Sequence, residues 1–162
     1  MSSRNILLGF EGVLLLNTAT STPYATPTWD EIDTVKNMAL KVTSQTADIG
    51  MRRGKGWGSQ MNSIKDLPIE VEALYEKGNA DLNEFFLAAI TPRKFLDCVI
   101  LDGPLITPAG GVASKGMRAH FNISDWELGQ QLADGQMVKF TMAVGYFIAG
   151  EEPKAFTGTV AT

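Results

Sequence analysis

Apolar side chains recur at every second position in several separated stretches of this chain, and a strand is the conformation that sends successive side chains to opposite faces. In residues 112–124, VASKGMRAHFNIS, Met117, Ala119, Phe121 and Ile123 share one face, while Arg118, His120, Asn122 and Ser124 share the other. The pattern predicts a half-buried strand. The run MVKFTMAVGYFI places Val138, Phe140, Met142, Val144, Tyr146 and Ile148 on one side. Asp134-Gly135 ahead of it supplies a turn, so the two runs are expected to pair. IEVEALY puts Ile69, Val71, Ala73 and Tyr75 inward and Glu70 and Glu72 outward. KFLDCVIL is apolar on nearly both faces, as a strand covered on both sides would be. Leu8, Phe10, Leu14 and Leu16 keep the same period of two.

One segment breaks the period. In DLNEFFLAAI, Leu82, Phe85, Phe86, Ala89 and Ile90 fall at helical spacing, Asp81 and Glu84 form a capping-box pattern, and Thr91-Pro92 stops the helix. Phe86 is expected at the centre of its buried stripe. Residues 28–42 carry both signals: Thr28 to Glu31 reads as a capping box, whereas Lys36, Met38, Leu40 and Val42 alternate with Asn37, Ala39 and Lys41. A short helical turn near 29–33 leading into a strand from about 35 satisfies both. Residues 17–28, rich in Thr, Ser and Pro, read as a loop. The predicted fold class is mainly β, antiparallel sheets of a sandwich-like or barrel-like kind, with one flanking α-helix. At 162 residues the chain is the size of one domain.

The chemical inventory excludes more than it offers. Formal net charge is −4, so the field of the whole molecule does not attract nucleic acid or anionic lipid. No stretch approaches the roughly 18 consecutive apolar residues of a membrane span, and the apolar start, SSRNILLGFEGVLLL, is interrupted by Glu11 and does not read as a signal peptide. The single cysteine, Cys98, lies in an apolar run and reads as a small core residue. His120 is the only histidine, with no nucleophile placed beside it, and reads as a surface or interface residue. No catalytic residue, metal ligand or cofactor is assigned. Glu151 with Glu152, like Glu70 with Glu72, reads as solvated acid.

The remaining feature is residues 44–60, SQTADIGMRRGKGWGSQ, in which Gly50, Gly54, Gly56 and Gly58 are set among Arg52, Arg53 and Lys55, with Trp57 between glycines. It has neither the ending of a Walker loop nor the setting of a dinucleotide fingerprint. A basic hairpin with a tryptophan could contact phosphates and stack on a base, making the chain a nucleic-acid-binding β-domain. A sandwich-type ligand or carbohydrate module, with Trp29, Trp57 and Trp126 as stacking platforms, is a further alternative.

The order of segments carries a stronger likeness. Trp29, Ile32 and Val35 are followed by Ala47-Asp48, then Arg52 or Arg53 and Trp57, then Asp66-Leu67 entering the next strand. Over roughly residues 5–148 this resembles the major tail tube proteins of long-tailed bacteriophages and the related inner-tube proteins of contractile particles. The resemblance implies paired antiparallel sheets with a flanking helix, and subunits that form six-fold rings stacked into a tube through which DNA passes without specific binding. It implies a virion tail location, assembly in the bacterial host cytoplasm, and contact with tape measure, tail terminator and distal tail proteins, with no membrane partner. On this reading residues 44–60 are an arm that docks on neighbouring subunits through Arg52, Arg53, Lys55 and Trp57. Glu70 and Glu72 are then expected to face the lumen.

Overall fold

The computed structural model describes residues 12–20, 23–40, 43–49, 59–131 and 135–162. The strands are β1 (Val13–Asn17), β2 (Trp29–Glu31), β3 (Val35–Leu40), β4 (Thr43–Ile49), β5 (Ser59–Asp66) and β6 (Ile69–Leu74). After the helix α1 (Ala80–Ile90) come β7 (Leu96–Leu101), β8 (Ile106–Thr107), β9 (Lys115–Gln131), β10 (Gly135–Val144), β11 (Lys154–Thr157) and β12 (Thr159–Val160). The main sheet has the order β2-β1-β7-β9-β10-β6-β3, with β11 also on β9, and every pairing within it is antiparallel. Two separate ribbons complete the molecule, antiparallel β4–β5 and parallel β8–β12.

One face of the sheet builds the core. Ile69, Val71 and Ala73 of β6, Val138, Phe140 and Met142 of β10, and Ala119, Phe121 and Ile123 of β9 are all buried on it, beneath Leu82, Phe85 and Ala88 of α1. The expected pairing of the two alternating runs is the β9–β10 ladder. Seventeen residues span roughly 55 Å, and β9 holds its phase over that length only by a bulge. Lys139 faces Glu127, but Thr141 faces Ser124, so one extra residue enters β9 between them. Asp125 takes it up with φ 53°, the left-handed conformation that Asp adopts more readily than most residues. The bulge returns Trp126, an even-numbered residue, to the face occupied by Phe121 and Ile123, where it stacks on Phe140 at 5.5 Å.

Several local expectations shift. The helix cap is Asn79, whose side chain accepts from the Asp81 and Leu82 amides at 3.0 and 3.1 Å, so the helix opens before the Asp81–Glu84 pattern. The buried stripe of Leu82, Phe85 and Ala88 is rotated one position from the expected one: Phe85 is 0% exposed and Phe86 39%. Residues 29–31 pair with β1 as a strand rather than forming a helical turn, and the turn follows at Asp33-Thr34. Tyr75, Tyr146 and Ile148 lie beyond the ends of β6 and β10 and are exposed. The strand expected over 112–124 begins at Lys115 and runs on to Gln131. Leu8 and Phe10 lie outside the described residues.

Phe85 meets Phe140 at 5.1 Å across the helix–sheet seam. Phe85→Ala is expected to cost about 3–5 kcal/mol as a large-to-small core change. Phe86→Ala, which loses only an edge contact with Trp126, should cost about 1 kcal/mol or less. Urea denaturation of both variants checks the pair, and equal losses would contradict this placement of α1.

Candidate assembly surfaces

The hairpin β4–β5 continues a pair already in the sheet. Leu40 of β3 faces Ile69 of β6, and Thr43 faces Asp66, three residues further along each chain, so the offset is unchanged between the two ladders. It holds as far as Gln45 opposite Ile64, where a bulge intervenes, and the ribbon ends at Ile49 opposite Ser59. Seven residues of β4 carry it roughly 23 Å. Arg52, Arg53, Lys55 and Trp57, which belong to the segment that this ribbon presents, lie outside the described residues.

Glu70 and Glu72 are brought together with further acid on the sheet face away from the helix. Across β3, β6, β10 and the far half of β9 this face is open, and Glu70, Glu72, Asp125 and Glu127 line a shallow groove of about 270 Å³ with Asn37 and Lys139. Lys139 Nζ sits 3.1 Å from Glu72 Oε1. That hydrogen bond and the Glu72 charge raise the lysine above its ordinary range. One cation against four carboxylates leaves the groove acidic.

The other half of the same face is covered, and the alternation rule misleads there. Arg118, assigned by period to a polar face, is 5% exposed. Its Nε donates to Asp97 Oδ1 at 3.0 Å, and Nη2 donates to Asp97 Oδ2 at 2.6 Å and to the Tyr24 carbonyl at 3.0 Å. Asn17 Nδ2 donates to the same carboxylate at 2.9 Å, while Asn17 Oδ1 accepts from the Ala19 and Thr28 amides. The Tyr24 ring lies 3.9 Å from the guanidinium carbon and stacks on His120, whose Nε2 is 2.9 Å from Glu151 Oε2. Burial opposes the arginine's charge, and Asp97 outweighs it, holding the group above its usual range. These contacts pin the 18–28 loop and the segment before β11 onto the sheet. Glu151 is therefore held against His120 rather than freely solvated. Asp97→Ala would leave a buried guanidinium without its counter-charge, and an urea melt should show a loss of about 3–5 kcal/mol.

A second groove opens at the start of α1. Tyr75, Glu76, Asn83, Phe86, Trp126 and Leu128 line a cavity of about 380 Å³. Three of its apolar walls are exposed, Tyr75 at 37%, Phe86 at 39% and Leu128 at 47%. No sequence signal pointed here, because β6, α1 and β9 contribute separately and the β9 bulge decides that Trp126 and Leu128 face it.

Among the described residues no group of three or more His, Cys, Asp and Glu could hold a metal ion. Burial pushes the Cys98 thiol well above its ordinary range, with Asp97 adding to the effect, as suits a core residue. Trp126 stacks on Phe140, and Trp29 meets Phe156 edge-on at 5.8 Å with Arg118 at 5.0 Å. Both indoles thus have aromatic neighbours of their own. No helix among the described residues is long and apolar enough to cross a membrane.

No protein-family model matches the sequence, and no curated protein matches it. Solved structures do match the fold. The SPP1 tail tube superposes with a TM-score of 0.65 at 9% identity, covering 96% of this chain and 81% of that one. A chain from the C6-symmetric tail of an empty GTA particle gives 0.62 at 10% identity, covering 88% and 96%. A chain from the sheath–tube complex of an extracellular contractile injection system gives 0.59 at 9%, covering 96% and 94%. The mostly antiparallel sheet with its single helix is therefore the fold found in phage tail tubes and contractile injection systems.

Proposed function

We propose that this chain is a tail tube subunit, a non-enzymatic structural protein that assembles into stacked six-fold rings and forms a tube for DNA. The observation that carries this reading is fold likeness over 88–96% of this chain to chains from a tail tube, a GTA particle tail and a contractile sheath–tube complex. The β3–β6 ladder extended by β4–β5 supports it, since a ribbon that runs on past its sheet presents strand edges that another chain can meet. In this reading residues 44–60 are the arm that docks on neighbouring subunits. Glycines let its backbone adapt, Arg52, Arg53 and Lys55 meet acidic faces, and Trp57 anchors it. The tube belongs to a virion tail assembled in the host cytoplasm, with tape measure, tail terminator and distal tail proteins as its further partners.

Negative-stain microscopy of the purified protein should show rings or tubes, and a monodisperse monomer at high concentration would count against the reading. Deleting residues 50–58 is expected to leave the circular dichroism spectrum and melt intact, because closure entropy changes slowly with loop length. Assembly followed by sedimentation should be lost.

The acidic face of Glu70, Glu72, Asp125 and Glu127 suits a lumen through which DNA slides, because like charge keeps the duplex from adhering. Reversing Glu70 and Glu72 to Lys should leave tubes able to form while making them retain DNA, with a retention that falls steeply as salt rises. Tubes of this variant that stay as indifferent to DNA as the parent would place those carboxylates elsewhere.

A further inference from the structure

The arm ribbon and the aromatic groove stand at opposite ends of one strand. β6 begins at Ile69, facing Leu40, where β3 and β6 run on towards β4–β5. It ends at Leu74, whose amide donates to the Thr34 carbonyl, and the next residue, Tyr75, is a wall of the groove. A protrusion at one end and a recess at the other suit head-to-tail docking. Such a contact is heterologous, and it propagates instead of closing on itself.

The chemistry of the two ends is complementary. Segment 50–58, GMRRGKGWG, has three cations, no acid and one aromatic residue. At the groove end, segment 75–84 holds Glu76, Asp81 and Glu84 against Lys77, and Glu84 is also paired with Lys94 at 2.9 Å. Glu76 lines the groove itself. Asp81 is raised above the ordinary carboxylate range, first by burial and then by the charges of Asp30, Asp33 and Glu84, so acidic groups gather at this end. Tyr75, Phe86 and Leu128 leave apolar wall exposed beside that charge. An indole fills such a recess well, and arginine also stacks favourably on aromatic faces.

We propose that the groove formed by Tyr75, Glu76, Phe86, Trp126 and Leu128 is the receptor for the 50–58 loop of a second copy of this chain, with Trp57 filling it. Arg52, Arg53 and Lys55 then face its acidic rim. This rests on the arm reading above and names the surface that the arm meets.

Two variants and one cross-link test it on the full-length protein. Glu76→Arg with Leu128→Arg changes two exposed groove residues, and Trp57→Ala changes the loop. Each should keep the parent's thermal melt, and each should raise the concentration needed for assembly at least about tenfold, as loss of a buried anchor does. Separately, Gly58→Cys and Asn83→Cys proteins are mixed during assembly with a short thiol cross-linker, the natural Cys98 being buried. Covalent heterodimers are expected. Should the groove variant assemble like the parent while Trp57→Ala does not, the receptor is overturned and the arm reading stands. If both assemble like the parent, both fail. A groove variant that alone blocks assembly, or assembly without any heterodimer, also overturns the proposal. Where the double variant melts early, Glu76→Arg alone and the cross-link decide.

Discussion

The inward-facing residues of β9 change from odd positions, Met117 to Ile123, to even ones, Trp126 and Leu128, and the bulge that absorbs this change shapes the rest of the molecule. Without the extra residue at Asp125, Trp126 and Leu128 would turn to the open acidic face, and Glu127 would turn towards the core. An unpaired carboxylate in that position would cost far more than the left-handed backbone that avoids it. With the bulge, one strand serves two neighbourhoods. Its first half holds β7 and β11 and the Arg118 contacts, and its second half holds β10 and the wall of the aromatic groove.

The same strand divides the charge of the molecule. Around Arg118 the far face of the sheet is covered, and its cation is held by the Asp97 carboxylate and the Tyr24 carbonyl, with Asn17 donating to the same carboxylate. Removing water there makes one missing partner expensive. Further along, the same face is bare, and Glu70, Glu72, Asp125 and Glu127 stand in solvent with one lysine among them. Exposure makes each of those charges individually weak, so they act as a field rather than as bonds.

Alternation made the long elements legible, because β6, β9 and β10 each bury one face and β7 buries nearly both. Their positions follow from Ile69 to Ala73, Ala119 to Ile123, Val138 to Met142 and Leu96 to Leu101. The short strands β2, β8, β11 and β12 left no such trace, since two to four residues carry no period and exist only because a partner strand is there. Phe85 and Phe86 were both expected on the buried stripe, and only Phe85 lies inside, for a related reason: adjacent phenylalanines differ by one helical step, and the sheet decides which is buried. Arg118 looked solvent-facing because pattern alone cannot show that a distant loop folds over it. At the candidate site, the basic and aromatic character of 50–58 and the Glu70–Glu72 pair were readable directly. The groove beside α1 was not, since its walls come from three segments that only the fold brings together.

The unbroken offset between β3–β6 and β4–β5 has a mechanical side. In an antiparallel ladder the hydrogen bonds lie across the strands, and a pull on the hairpin draws both of its strands the same way, so the load falls in shear on the β6–β10 ladder as a whole instead of peeling it bond by bond. A pull on the arm would pass into β6, which is clamped between β3 and β10 and seated on the core through Ile69, Val71 and Ala73. An arm anchored in this way resembles a rivet whose shank runs through the plate. In a tube of the kind proposed above, stretching or bending would be resisted by the most deeply buried part of each subunit.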